Sequence, residues 1–135
     1  MTQEARGVFE VKLTPRTPDS GEAERANIGR MSLDKSYRGD LEAASSGEML
    51  GVRTGIDGSA GYVAMERVDG TLHGREGTFV LQHNGLMNRG LPDMRVVVVP
   101  DSGTGELAGL SGALTIEIAD GKHSYRFEYD LPDAP

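Results

Sequence analysis

Apolar residues recur at every second position through most of this chain, and that period decides its fold class. Phe9, Val11 and Leu13 alternate with Glu10 and Lys12. Leu114, Ile116 and Ile118 alternate with Thr115 and Glu117, and Tyr125, Phe127, Tyr129 and Leu131 alternate with Ser124, Arg126, Glu128 and Asp130. Met31, Leu33 and Tyr37 alternate with Ser32, Asp34 and Ser36, but Lys35 interrupts the apolar set. Successive strand side chains point to opposite faces, so this pattern marks strands with one buried face. No segment keeps a helical apolar stripe for three turns.

Turn chemistry separates the runs. Asp57-Gly58, Asp69-Gly70 and Asp120-Gly121 are tight-hairpin dipeptides, because glycine supplies positive φ and aspartate tolerates it. His73 to Gly77 reads as a bend or bulge, Arg16 to Arg25 as a long polar surface loop, and Asn84 to Pro92 as a second loop. The expected strands are 6–14, 26–38, 40–53, 59–69, 76–84, 93–100, 112–119 and 122–131. Eight short antiparallel strands imply a sandwich or a closed barrel, and closure removes exposed edges. With 135 residues and no linker, repeat or low-complexity tract, residues 1–135 are expected to form a single domain.

Charge and composition narrow the function classes. The net charge of −7 argues against nucleic acid or an anionic membrane as partner, since both require a basic surface. The absence of cysteine excludes a disulfide scaffold, a thiol nucleophile and a Cys-ligated metal. The longest aliphatic run, Val96 to Val99, is far too short for a membrane helix. The start, MTQEARGVFEV, carries charges where a secretory signal needs an apolar stretch, so a cytoplasmic location is expected.

Two motifs carry a family resemblance. The first joins Glu66-Arg67, Gly70, Leu72, Gly74-Arg75, Gly77, Phe79-Val80-Leu81-Gln82-His83 and Gly85. The second runs from Pro100 through Ser102-Gly103-Thr104-Gly105-Glu106-Leu107-Ala108-Gly109-Leu110 to Gly112. Together they resemble the domain-of-unknown-function 3224 family of small bacterial proteins, and the resemblance extends from the GVFEVK start to the final YRFEYDL strand. One departure is the apolar, proline-bearing segment after His83, which would reshape one rim. That family is similar in fold to the plant allene oxide cyclases. The resemblance therefore implies an all-β, eight-stranded antiparallel β-barrel of allene-oxide-cyclase-like form. A shared barrel carries no chemistry with it.

Glu66 and His83 are the candidate catalytic residues. Glu66 sits in the otherwise apolar strand Tyr62 to Val68. A carboxylate there, in an apolar barrel, would have a raised pKa and could give or take protons. The competing reading is an outward Glu66 paired with arginine. Unless a bulge intervenes, strand parity lets only one of Gln82 and His83 face inward; an inward His83 beside Glu66 would make a proton-transfer pair, while the competing role is a histidine holding a rim loop. Arg67, Arg75 and Arg95 could clamp a carboxylate, against ordinary surface pairing. The spacing of His73, His83 and His123 matches no metal-ligand motif, so no metal is expected. Gly103 to Gly109 has G-x-G-x-x-x-G spacing without a following long helix, so neither a dinucleotide nor any other cofactor is expected. It reads instead as a short turn capped by Thr104, with Glu106 at its positive end and Leu107 and Leu110 anchoring it.

Three functions from different classes remain. The first is a barrel holding one small, mostly apolar organic ligand, with Tyr62, Phe79, Gln82, Arg95 and Tyr125 as the expected contacts. The second is a cofactor-free isomerase or cyclase using Glu66 and His83. The third is a filled barrel serving a structural or interaction role. Cavity volume and the polar groups inside separate them. Self-association as a homodimer or small homo-oligomer is also expected. Two of Val96 to Val99 must face outward whichever parity holds, and Val80 or Leu81, with Val63 or Met65, would extend that apolar patch.

Overall fold

The computed structural model describes residues 2–17 and 20–132. Eight antiparallel strands close into a barrel in sequence order: β1 (Gln3–Arg16), β2 (Gly29–Gly39), β3 (Leu41–Arg53), β4 (Ala60–Leu72), β5 (Arg75–Asn88), β6 (Leu91–Val98), β7 (Ser111–Ala119) and β8 (Lys122–Asp130), with β8 returning to β1. A five-residue helix, α1 (Gly21–Arg25), interrupts the β1–β2 connection, and a 3-10 turn (Gly105–Leu107) interrupts the β6–β7 connection. Closure is thinnest between β6 and β7, where Val97 opposite Ala113 is the registered pair.

Two hairpins differ from the sequence reading. Asp69-Gly70 is no turn; it lies inside β4, and the chain reverses at His73-Gly74, with φ of 47° and 79°. Gly70 is present because of crowding. A Cβ there would come within 2.2 Å of the Glu42 carbonyl oxygen and 2.6 Å of the Ala43 Cα on β3. The expected loop Asn84 to Pro92 is mostly strand, since β5 runs to Asn88, β6 begins at Leu91, and only Arg89-Gly90 turns, with φ of 49° and 90°. Positive φ at both central residues matches the twist of the flanking strands, so a non-Asp residue before glycine suffices when register demands it. Asp120-Gly121 turns as expected, with φ of 52° and 74°.

Antiparallel order gives the barrel two unlike ends. The β2–β3 and β4–β5 turns and the long β6–β7 connection lie at one end; the β1–β2, β3–β4, β5–β6 and β7–β8 connections lie at the other. The first end is packed solid. Leu41, Leu72, Phe79, Phe127 and Tyr129 are fully or almost fully buried, Phe79 stacks on Phe127 at 5.9 Å, and Leu107 and Leu110 of the β6–β7 connection are buried with them. Each such side chain contributes roughly 1.5–3 kcal/mol. The short turn is held differently from the expected cap. Thr104 makes no side-chain cap; its hydroxyl accepts from the Thr78 amide at 3.0 Å, and Glu106 accepts from the Glu76 amide at 3.1 Å.

Toward the second end the inward positions stay exposed: Leu13 47%, Met87 40%, Met94 42% and Ile118 64%. This half of the barrel is an open cup. On the outer wall, parity turns Val97 outward and buries Val96 and Val98, while Val63 and Met65 both lie exposed beside Leu50. No helix among the described residues is long and apolar enough to cross a membrane.

Candidate functional site

Between the packed end and the cup lies a buried polar cluster. Among the described residues, the buried polar side chains are Lys35, Ser45, Glu66 and His83, and all four belong to it. Alternation places Lys35 and Tyr37 on the inward phase of β2, Ser45 on β3, Glu66 on β4 and His83 on β5. Glu66, with no exposed surface, is the hub. Its Oε1 accepts from Lys35 Nζ at 2.9 Å and faces His83 Nε2 at 2.5 Å. Its Oε2 accepts from Tyr37 Oη at 2.7 Å and Ser45 Oγ at 2.5 Å. Lys35 Nζ also sits 4.9 Å from the centre of the Phe9 ring.

This saturation overturns the expected raised pKa of Glu66. Burial alone pushes the carboxyl up, but the His83 hydrogen bond, the Lys35 charge and the Ser45 and Lys35 hydrogen bonds outweigh it and hold Glu66 down at about 2. Burial, then the Glu66 charge, pushes the Tyr37 phenol up, so Tyr37 stays a donor. An ionised carboxylate only accepts, so His83 Nε2 carries a proton. His83 Nδ1 has no hydrogen-bond partner among the described residues, yet it is not a sealed, unsatisfied atom.

Beyond the cluster the cup opens, with a volume of about 670 Å³. Met31, Met49, Met87, Met94 and Tyr62 form its apolar wall, and Gly51, Ala60 and Gly85 leave the space between them. The Tyr62 ring crosses Gly85, where a Cβ would come within 2.1 Å of Tyr62 Cε1, so glycine is what lets the ring lie flat on the wall. Burial, then the Glu66 charge, pushes the Tyr62 phenol up.

The structure thus brings Glu66 and His83 into contact and places Tyr62 on the cup wall. The other expected contacts lie elsewhere. Phe79 is packed in the closed half, and Tyr125 is buried among backbone groups, where its hydroxyl accepts from the Leu41 amide at 2.9 Å. Gln82 and Arg95 are exposed on the outer wall, because His83 and Val96 take the inward phase. Arg67 and Arg75 are exposed as well, so the three arginines do not converge inside. Sequence reasoning missed Lys35, Tyr37 and Ser45 as partners of Glu66. The signal was Lys35 itself, a charge on the same phase as Leu33 and Tyr37. It also missed the cup methionines, of which Met87 fell in the supposed loop. No group of three His, Cys, Asp or Glu side chains among the described residues could hold a metal ion.

Fold and site together define a half-filled β-barrel with one open cup above a buried, charge-balanced cluster. Residues 5–129 match the family described as protein of unknown function (DUF3224), and the chain belongs to that family. A solved structure of a DUF3224 protein of unknown function from Shewanella oneidensis MR-1 is 46% identical, covers 99% of this chain and 100% of its own, and superposes with a TM-score of 0.91. No curated protein matches the chain.

Proposed function

We propose that this protein is a binding barrel that takes one small, largely apolar molecule into the cup. The cup itself carries the reading. About 670 Å³ of space at this open end lies within the range of small-molecule sites, and its lining is mostly methionine, glycine and tyrosine, with charge confined to arginines at the rim. Methionine has three rotatable bonds and a polarizable sulfur, so four of them can repack around ligands of different shape. A filled barrel with a purely structural role has less support, since inward-phase Met87 and Met94 remain 40% and 42% exposed.

N-Phenyl-1-naphthylamine, an uncharged dye that brightens in apolar surroundings, tests this reading. One dye per chain is expected to bind saturably. Ala60→Phe, which fills the cup, should abolish the signal while the chain stays folded. Val63→Lys, on the outer wall, should leave it unchanged. Absence of saturable binding, or loss of binding in Val63→Lys alone, would overturn the proposal.

A second reading, a cofactor-free isomerase or cyclase, draws support from the 2.5 Å contact between His83 and Glu66. In it His83 Nδ1 is the base and Glu66 only orients the ring, because a carboxyl held at about 2 is a poor proton carrier near neutrality. Binding of the dye should then shift the His83 Nδ1 nitrogen resonance. An unmoved resonance at saturation would leave the binding role alone.

A further inference from the structure

The cup rim has a charge character opposite to that of the whole chain. The protein has 21 acidic residues and a net charge of −7, yet among the described residues no Asp or Glu lines the cup, while Arg16, Arg30 and Arg53 do. The three arginines are not equivalent. Arg30 is engaged by Glu48, with Nη2 2.5 Å from Oε1, and donates to the Thr17 carbonyl. Arg16 gives its Nε to the Ser32 hydroxyl at 2.8 Å, a neutral partner. Arg53 ends β3 on the inward phase of that strand, is exposed, and has no ion-pair or hydrogen-bond partner among the described residues. Asp57 in the β3–β4 connection and Asp93 on β6 belong to the same end of the barrel but do not line the cup.

We infer that the cup selects an organic anion, with its apolar body against Met31, Met49, Met87 and Met94 and its carboxylate or sulfonate head beside Arg53. This rests on the cup being a ligand site. It adds the chemical class of the ligand. A guanidinium offers a planar fork of donors that matches such a head, and its charge cannot be titrated away near neutral pH. Glu48 engages Arg30, so Arg53 is the rim charge left uncancelled among the described residues. An anion guided there meets its counter-charge only at the mouth. An apolar wall ending in a guanidinium fits an amphipathic shape, whereas a uniformly apolar molecule would leave Arg53 unused.

Two dyes with the same aromatic body separate the possibilities. 8-Anilino-1-naphthalenesulfonate is N-phenyl-1-naphthylamine with one sulfonate added. At low salt the sulfonate is expected to bind about tenfold tighter than its uncharged parent, as one charge-assisted hydrogen-bonded contact supplies. Arg53→Gln should erase that tenfold preference and leave the affinity for the parent unchanged, and Arg53→Lys should restore part of it. Added salt should weaken the sulfonate only. Equal affinity of the two dyes, or an equal loss of both in Arg53→Gln with its melting temperature intact, would overturn the anion inference while the cup reading stands. Failure of the uncharged parent to bind at all would instead overturn the cup reading.

Discussion

His83 presents Nε2 to Glu66 Oε1 at 2.5 Å, and that contact fixes which nitrogen of the ring carries the proton. Glu66 is ionised and can only accept, so the neutral ring is the Nε2–H form with its lone pair on Nδ1. A long-range 1H–15N spectrum at pH 9 is expected to show a protonated Nε2 and an unprotonated Nδ1 for His83. The opposite tautomer would mean that the Glu66 contact does not exist in solution, and the base role of Nδ1 would fall with it.

Among the described residues the same carboxylate is the sole acidic partner of buried Lys35, so removing its charge strands a cation. Glu66→Gln should cost about 3–5 kcal/mol, the usual penalty for breaking a buried pair from one side. Lys35→Met together with Glu66→Gln should cost less than Glu66→Gln alone, because the glutamine can still accept from Tyr37 and Ser45 while no charge is left uncompensated. Urea unfolding of the two variants checks this. A double variant no more stable than Glu66→Gln would show that Lys35 finds adequate solvation without Glu66.

Acid should expose the same coupling. The folded-state pKa of Glu66, about 2, lies below its ordinary 4.5, so the unfolded chain takes up the proton first as pH falls. The stabilisation is therefore complete above about pH 4.5 and is lost progressively down to about pH 2, with a total on the order of 3 kcal/mol. The stability difference between the wild type and Glu66→Gln should narrow steadily as pH falls from about 4.5 toward 2. A difference independent of pH down to 2.5 would contradict the low carboxyl pKa.

The barrel was legible because period two is a backbone property: Phe9, Leu33, Ile116 and Phe127 announce their faces without any knowledge of their neighbours. The cluster was only half legible. Glu66 stood out as a carboxylate in an apolar strand, but whether it was naked or neutralised depended on Lys35, 31 residues away, meeting it across the barrel. Lys35 registered as an interruption of β2, when its phase made it an inward charge in need of a partner. Gln82 and Arg95 show the converse limit. Composition marks them as ligand-binding types, and one residue of register decides that they face solvent.

Register also decides between two glycines that the sequence presents as equivalent punctuation. Gly74 occupies the left-handed region at φ 79° in a turn, and a Cβ there meets nothing within 4 Å. Gly74→Ala should therefore cost about 1 kcal/mol, the backbone penalty of that conformation for a residue with a side chain. Gly70 needs no special φ, but its missing Cβ is the space into which β3 presses, with the Glu42 carbonyl oxygen 2.2 Å away. Gly70→Ala must push β3 and β4 apart at the Ala43–Gly70 pair, on the same two strands that carry Ser45 and Glu66. A cost of about 3 kcal/mol is expected, at the upper end for overpacking. It should be accompanied by shifted resonances for Ser45 and His83, which Gly74→Ala should leave in place. Thermal unfolding with a 1H–15N spectrum of each variant measures both quantities. If Gly74→Ala proved the more damaging, Asp69-Gly70 would be the turn after all and the register of β4 against β5 would be wrong.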